Sequence, residues 1–212
     1  NLKLRPSTSM ALDTAQFAVA NLKGRLSDGQ TFSVASATGS FVLVQDATYD
    51  MDLSMVDVTP GRSMKLIIDP NGRLPDRFDR LNITSTQSYS KPWDRSAIEQ
   101  SRPQPTAIQL DLAQALWGQL ELRLAGDVTV DGSGASTGQV TVKAVNWAEI
   151  LELAVAAGAI PPGSAGTVEG VLKTLARASG PPNTIDVPFT LKKGMNLFGF
   201  FPLGPAPTFR LP

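Results

Sequence analysis

The chain has 212 residues, with 19 Lys and Arg against 19 Asp and Glu, and it contains neither His nor Cys. The absence of these two residue types excludes imidazole bases, thiol nucleophiles, disulfides and the usual zinc, haem and iron–sulfur ligands. A formal charge of zero also argues against a nucleic-acid partner, which requires a cationic surface. The composition therefore predicts a protein without a cofactor, a metal or a bound nucleic acid.

The hydrophobic content of 42% and the length predict a single folded domain with a sizeable core. We divide it into a β-meander at residues 1–91, a connecting segment at 92–105 that includes a short helix-like stretch, and a C-terminal part at 106–212. The sequence contains no run of about 18 apolar residues, so it predicts neither a membrane span nor the apolar core of a secretory signal. The sequence begins at Asn1 rather than Met, which fits either a trimmed sequence or a mature product from which an export signal or membrane anchor was removed.

Residues 16–69 alternate between apolar and polar positions, which predicts an antiparallel meander of about five strands. Within Tyr49–Val58 the apolar positions change parity, which indicates a bulge or a sharp bend. A further strand is predicted at Leu81–Tyr89. The predicted turns of the meander lie at Asp28-Gly29, Thr38-Gly39, Asp46-Ala47, Pro60-Gly61 and Pro70–Gly72.

The segment Leu116–Val130 has an apolar residue or Gly at every even position, and this pattern predicts one strand roughly 50 Å long. Gly118 and Gly126 lie on its apolar face, where the lack of a side chain favours tight curvature. We therefore expect a long, strongly curved sheet with an apolar concave side.

After the loop Gly132–Gly138 the sequence predicts a strand at Gln139–Val145 and then two helices. The first begins at Asn146, with Glu149 in capping-box spacing, and the second spans residues 164–179 and ends at Gly180. Two more strands follow at 185–191 and 195–200. The sum is an α+β fold: a curved antiparallel sheet, similar to half a barrel, with a C-terminal helical hairpin packed on its apolar face.

The C-terminal part contains a set of short motifs at Trp117-Gly118, Asn146-Trp147, Gly158, Ser179-Gly180, Ile185–Leu191 and Pro202–Pro207. In these motifs it resembles an alphaproteobacterial family, the domain of unknown function 2125. This resemblance implies an envelope location, either periplasmic or anchored in the inner membrane and facing the periplasm, and it assigns no catalytic residue. At a greater distance, the alternating strands look like those of AsmA-type envelope proteins, which are linked to lipid handling; this is an analogy of fold.

The polar candidates for chemistry each have a simpler structural interpretation. The loop Gly132–Gly138 precedes a strand rather than a helix, which favours a hairpin over a phosphate cradle or a calcium site. Asp50 and Asp52 lie on one strand face and have a spacing that a glycosidase-like pair could use, but a solvated strand face explains them as well. The cations between Lys65 and Arg102 are interleaved with Asp and indicate surface ion pairs, with contact to anionic head groups as the alternative. The three tryptophans indicate buried anchors.

The predicted helices are about 18 and 22 Å long and cover less than half of a strand of roughly 50 Å. The uncovered apolar surface must meet its own curled edge, a lipid-like ligand or a protein partner. We favour a non-enzymatic envelope protein that shelters a hydrophobic ligand, with a structural or assembly module as the alternative and a carboxylate-based hydrolase as a third possibility. The predicted lining is Leu120, Leu122, Leu124, Val128, Val140 and Val142, with Trp147, Ile150 and Leu151 as a lid.

Overall fold

The computed structural model describes residues 1–6, 10–179, 181–198 and 201–211. Its described strands form one antiparallel sheet of eleven strands in which every strand pairs with its neighbours in sequence, so the sheet is an uninterrupted meander. The strands are β1 (Leu2–Leu4), β2 (Leu12–Arg25), β3 (Thr31–Gln45), β4 (Thr48–Thr59), β5 (Phe78–Tyr89), β6 (Pro105–Trp117), β7 (Leu120–Val130), β8 (Ser136–Val145), β9 (Thr184–Lys192), β10 (Met195–Phe198) and β11 (Phe201–Pro205). The helices are α1 (Arg62–Ile68), α2 (Arg95–Glu99), α3 (Trp147–Ala156) and α4 (Pro162–Ser179).

Directly paired residues on neighbouring strands lie on the same face of the sheet. The paired rows show that the sheet is amphipathic across most of its width. One transverse row, from β2 to β9, consists of Phe17, Gly39, Leu53, Ile83, Ala113, Leu124, Val142 and Val187. The row beside it, on the opposite face, consists of Ala18, Thr38, Ser54, Asn82, Gln114, Arg123, Lys143 and Asp186. The protein therefore has an apolar sheet face and a polar sheet face.

The helical hairpin of α3 and α4 packs on the apolar face at the C-terminal side of the sheet. Trp147 and Leu151 of α3 and Ala176 of α4 form a buried cluster with Ala144 and Ile185 of the sheet. This confirms the predicted fold class, a curved antiparallel sheet with a C-terminal helical hairpin on its apolar face. The side chain of Asn146 does not cap α3. The residue has a φ of 58°, and its side-chain Nδ2 donates to the Gln119 carbonyl at 2.5 Å.

The predicted single strand Leu116–Val130 is wrong, because a hairpin turn divides it. Trp117 at the end of β6 pairs with Leu120 at the start of β7, which leaves Gly118 and Gln119 as a two-residue loop. Gly118 has a φ of +60°, the left-handed conformation that such tight turns require. The first half of this hairpin, β6, was not predicted as a strand.

The meander between residues 16 and 69 contains three strands and a helix rather than five strands. No turn lies at Thr38-Gly39, because both residues pair with β2 and with β4 in the middle of β3. The Phe17 ring on β2 lies across Gly39 and fills the space of its missing side chain. Residues 62–68 form α1, and the carboxylate of Asp69 fixes the chain after it by accepting from the amides of Arg73 at 3.0 Å and Leu74 at 2.9 Å. The turns at Asp28-Gly29 and Asp46-Ala47 are confirmed.

The predicted irregularity in β4 lies at Asp57, which has a φ of 50°. Asn21 of β2 has a φ of 54°, and the strand register places both residues opposite Ala35 of β3. Asn and Asp enter this region more readily than other residues with a side chain. The register passes this point without an inserted residue, so the feature is a shared bend line across three strands rather than a bulge.

At the C-terminal end, the predicted strand 185–191 is confirmed as β9. The strand predicted for 195–200 is described as Met195–Phe198, and its last two residues lie outside the described part of the chain, as does Gly180, where α4 was predicted to end. The Pro-rich end of the sequence contributes β11, which pairs with β10; it was not predicted as a strand.

Candidate functional site

The apolar face carries no covering layer of described helices over β2 to β5. The principal contacts of α4 are with β9 and those of α3 are with α4 and β7. The sheet does not close on itself, because β1 and β11 remain at its two edges, so curling of one edge onto the other does not cover the face. We call the part of the apolar face on β2 to β5 the open face and define it by Phe17, Val19, Leu53, Met55 and Ile83.

The accessible surface agrees with an uncovered face. The protein exposes 12700 Å², about one-third more than the roughly 9,500 Å² expected of a compact monomer of this length. On the open face Phe17 is 51% and Val19 37% exposed, while Leu53, Met55 and Ile83 are half-buried by their neighbours within the sheet. Large apolar side chains that share one surface in this way mark an interaction site more often than scattered ones do.

The Phe17 ring forms a flat platform on the open face. A Cβ atom placed on Gly39 would lie 2.3 Å from a carbon of this ring, so the ring lies directly over the glycine of the neighbouring strand. The arrangement is an aromatic side chain covering a glycine in the paired strand. It leaves one side of the ring accessible, next to Leu53 in the same transverse row.

The predicted lining residues lie on the apolar face but mostly under cover. Leu120 belongs to a cluster with Leu74, Trp117 and Leu153, whereas Leu124 and Val142 are half-buried within the row described above. Leu122, Trp147, Ile150 and Leu151 contribute to the helix-covered cluster, and Val128 and Val140 to a third cluster with Val130, Leu191 and Ala206. Contact of these nine residues with a ligand stays a prediction.

Sequence reasoning missed the open face, because it relied on the length of one strand instead of the number of strands. A usable signal existed in the sequence. The alternating apolar residues of β2, β3, β4 and β5 form a larger surface than two short C-terminal helices can cover. The order in which the strands pair, which aligns these residues into common rows, cannot be deduced from any single segment of the sequence.

The polar face carries a shallow groove of about 660 Å³, which Gln16, Ser40, Asp52 and Thr84 help to line. Beside it, Asp50 accepts a hydrogen bond from Thr86 at 2.7 Å, and Ser54 donates to Asn82 at 2.8 Å. Asp50 and Asp52 therefore lie on the solvated strand face, with Asp50 hydrogen-bonded to a neutral hydroxyl.

The loop predicted at 132–138 is shorter in the structure, because β8 already begins at Ser136, and Asp131 at its start holds it. Asp131 accepts hydrogen bonds from the amide and the hydroxyl of Ser133, at 2.8 and 2.6 Å, and from the Ala135 amide at 3.1 Å. The Ser133 hydrogen bonds, together with backbone donors, lower the pKa of Asp131. The loop is a hairpin connection, and within the described ranges no three acidic side chains gather to hold a metal ion.

Two of the tryptophans are buried anchors, as predicted. Trp117 and Trp147 are each 5% exposed, and their indole N–H groups donate to the carbonyls of Pro75 at 2.8 Å and Pro182 at 3.0 Å. Of the seven mid-chain cations, four form ion pairs among the described residues: Lys65 with Asp76, Arg73 with Glu152, Arg77 with Asp57 and Arg95 with Glu99.

The third tryptophan, Trp93, is half-buried in an aromatic cluster with Phe41, Tyr49 and Tyr89. Phe41 and Tyr49 stack at 4.5 Å between ring centroids, and Tyr89 meets Trp93 edge to face at 5.5 Å. The Tyr49 hydroxyl accepts a hydrogen bond from the Trp93 amide at 2.9 Å. This cluster fixes the segment that follows β5 to the end of the sheet.

The fold and the open face define a single-sheet β-meander protein with one apolar surface left accessible. The chain belongs to the domain of unknown function 2125 family (DUF2125), described as an uncharacterized protein conserved in bacteria, whose family model matches residues 1–207. The match includes the N-terminal meander as well as the C-terminal part in which the resemblance was noted. Searches of curated proteins and of solved structures found no match. Among the described helices, none combines the length and the hydropathy that a membrane span requires.

Proposed function

We propose that this protein binds a hydrophobic, lipid-like ligand on its open face, without catalysing a reaction, in the bacterial envelope. The observation that carries the proposal is the exposed apolar surface on β2 to β5. The envelope location, on the periplasmic side, rests on the family resemblance and the analogy to AsmA-type proteins.

The dimensions of the open face suit an extended hydrocarbon. Its four strands span about 14 Å from β2 to β5 at roughly 4.8 Å between strands. Each buried methylene contributes about 0.8 kcal/mol, so ten methylenes laid across the rows would contribute about 8 kcal/mol before the entropic cost of binding. Neutral Phe, Val, Leu, Met and Ile side chains offer no polar specificity, which favours a ligand recognised by its chain.

A second candidate, a structural or assembly module, is supported by the exposed edge of β2. β1 pairs only with Leu12–Ala15, and residues 17–25 have no described strand on that side. Free backbone donors and acceptors at such an edge can pair with a strand of another chain. In that case the open face would be covered by the same partner.

Native mass spectrometry of the gently purified protein separates these two candidates. Ligand binding predicts that a mass of several hundred daltons stays with the monomer and dissociates on collisional activation. An assembly module predicts a dimer without added mass. A bare monomer at all concentrations would contradict both.

A further inference from the structure

The helix α1, which connects β4 to β5, exposes large apolar side chains that are not part of the open face. Met64, Leu66 and Ile67 are 58%, 50% and 68% exposed, and Leu26 of the β2–β3 turn is 44% exposed. Leu26 lies against the start of α1, because its Cδ1 atom is 3.0 Å from the position of a Cβ atom on Gly61. We call these four side chains the α1 patch.

The α1 patch is mounted on a fixed element. The Ser63 amide donates to the side chain of Gln30 at 2.6 Å, which joins the helix to the β2–β3 turn. At the other end Ile68 packs on the cluster that contains Leu74 and Trp117. These contacts at both ends attach the helix to the rest of the protein, while the side chains of the patch remain exposed.

Cations border the α1 patch. Arg62 and Leu66 line one depression with Thr31 and Thr59, and the same two threonines line the adjoining depression with Lys23 and Arg25. For Lys23, Arg25 and Arg62 no ion pair is found with any residue in the described ranges.

The acidic groups near the patch do not cancel this charge. Asp76 is paired with Lys65, and Asp69 is fully buried with its carboxylate on two backbone amides. Asp28 is exposed and accepts from Gln30. Three unpaired cations therefore face one free carboxylate around an apolar tip.

We propose that the α1 patch docks on the surface of an anionic lipid bilayer. Apolar side chains on a short helix enter the boundary between head groups and acyl chains, and surrounding Lys and Arg side chains pair with anionic head groups. A second copy of this chain is disfavoured as the occupant, because two such patches would bring their cations together. This inference concerns a surface separate from the open face and does not depend on the ligand proposed there.

Vesicle flotation of the purified full chain tests the proposal. At low ionic strength we expect binding to vesicles that contain phosphatidylglycerol, weak binding to pure phosphatidylcholine, and release by added salt, since screening weakens surface charge interactions. The double variant Leu66→Ser/Ile67→Ser should weaken binding at least about tenfold, because two apolar side chains no longer enter the interface. Arg25→Gln/Arg62→Gln should reduce binding to the anionic vesicles and flatten its salt dependence.

Val171→Ser is the matched control, since Val171 is an exposed helical apolar residue on α4 beside the paired Glu169 and Lys173. It should bind as the unmodified protein does. Thermal unfolding should be nearly unchanged in all variants, because every altered side chain is exposed. No binding to phosphatidylglycerol vesicles, equal binding by the Leu66/Ile67 variant, or equal binding to neutral vesicles would overturn the proposal. Retention of a ligand by the Leu66/Ile67 variant, measured by native mass spectrometry, reports on the open face separately.

Discussion

At the scale of single residues, two glycines in β7 and β8 leave no room for a side chain between these strands. Gly138 has a φ of +155°, and a Cβ atom on it would lie 2.0 Å from the Asp127 carbonyl oxygen. Gly126, two rungs away, has a φ of +157° and an equivalent contact at 2.1 Å with the carbonyl oxygen of Gln139. Since carbonyl oxygens in the ladder cannot move aside, neither position tolerates a side chain.

We therefore predict that Gly138→Ala lowers the free energy of unfolding by about 2 kcal/mol or more, measured by urea denaturation. The matched change Gly170→Ala, in α4 where nothing lies within 4 Å of the added carbon, should raise stability by about 0.5–1 kcal/mol through helix propensity. Equal stability of the Gly138 variant and the unmodified protein would contradict the close approach.

The two tyrosines of the protein report directly on the aromatic cluster. Burial raises the pKa of both Tyr49 and Tyr89 above their ordinary value of 10.0. A group with a raised folded-state pKa keeps its proton longer in the folded protein, so its contribution to stability is complete below about pH 10 and is lost as the pH rises from there toward the folded pKa.

Ultraviolet titration of tyrosinate should show both phenols ionising above pH 10.0 in the native protein and near 10.0 in concentrated urea. Tyr89→Phe should halve the signal and leave the remaining titration raised. If half of the native signal titrated at the ordinary value, one of the two tyrosines would not be buried as described.

At the scale of elements, the helical hairpin was predictable and the β6–β7 hairpin was not. The apolar stripe and the flanking Pro-Gly segments mark α3 and α4 in the sequence. By contrast, the pattern of apolar residues or Gly at even positions continued through the β6–β7 turn, because the turn residue Gly118 itself occupies an even position. In the structure Leu116 pairs with Glu121, on the face opposite to Leu120 and Leu122, so the apparent continuity was coincidental.

The helix α1 was missed for a different reason. Its residues Met64, Leu66 and Ile68 occupy alternate positions, so the segment fits a strand as well as a short helix. The group that stabilises the chain after it is a buried carboxylate, Asp69, which carries no periodic signal. In the sequence Asp69 precedes Pro70-Asn71-Gly72 and is indistinguishable from an ordinary turn residue.

Asp69→Ala should lower the free energy of unfolding by about 2 kcal/mol, since it leaves the buried amide of Leu74 and that of Arg73 without an acceptor. Asp69→Asn keeps one acceptor oxygen and should lose less. Hydrogen exchange at the Leu74 amide should accelerate in the alanine variant, whereas Asp28→Ala, an exposed turn aspartate, should change neither measurement by much. Unchanged Leu74 exchange in Asp69→Ala would show that the carboxylate does not hold this segment.

At the scale of the whole molecule, alternation along the strands was enough to predict an amphipathic antiparallel sheet with helices on one face. The sequence did not reveal that the sheet has eleven strands in unbroken sequential order, because pairing between distant segments depends on the combined fit of all of them. The predicted ligand residues lie on the same apolar sheet face as the open face, but on the part that is nearer the helices α3 and α4. A large sheet with few helices leaves apolar surface to an external partner, and this is the basis of the proposed function.

The most direct test of ligand binding on the open face is native mass spectrometry of the variant Phe17→Ser/Val19→Ser beside Ile98→Ser. Phe17 and Val19 lie on the open face, and Ile98 is 92% exposed on α2, outside that face. We predict that the unmodified protein and the Ile98 variant retain a mass of several hundred daltons and that the double variant loses it while remaining folded. Equal retention by the double variant, or the absence of any bound mass in the unmodified protein, would contradict the account.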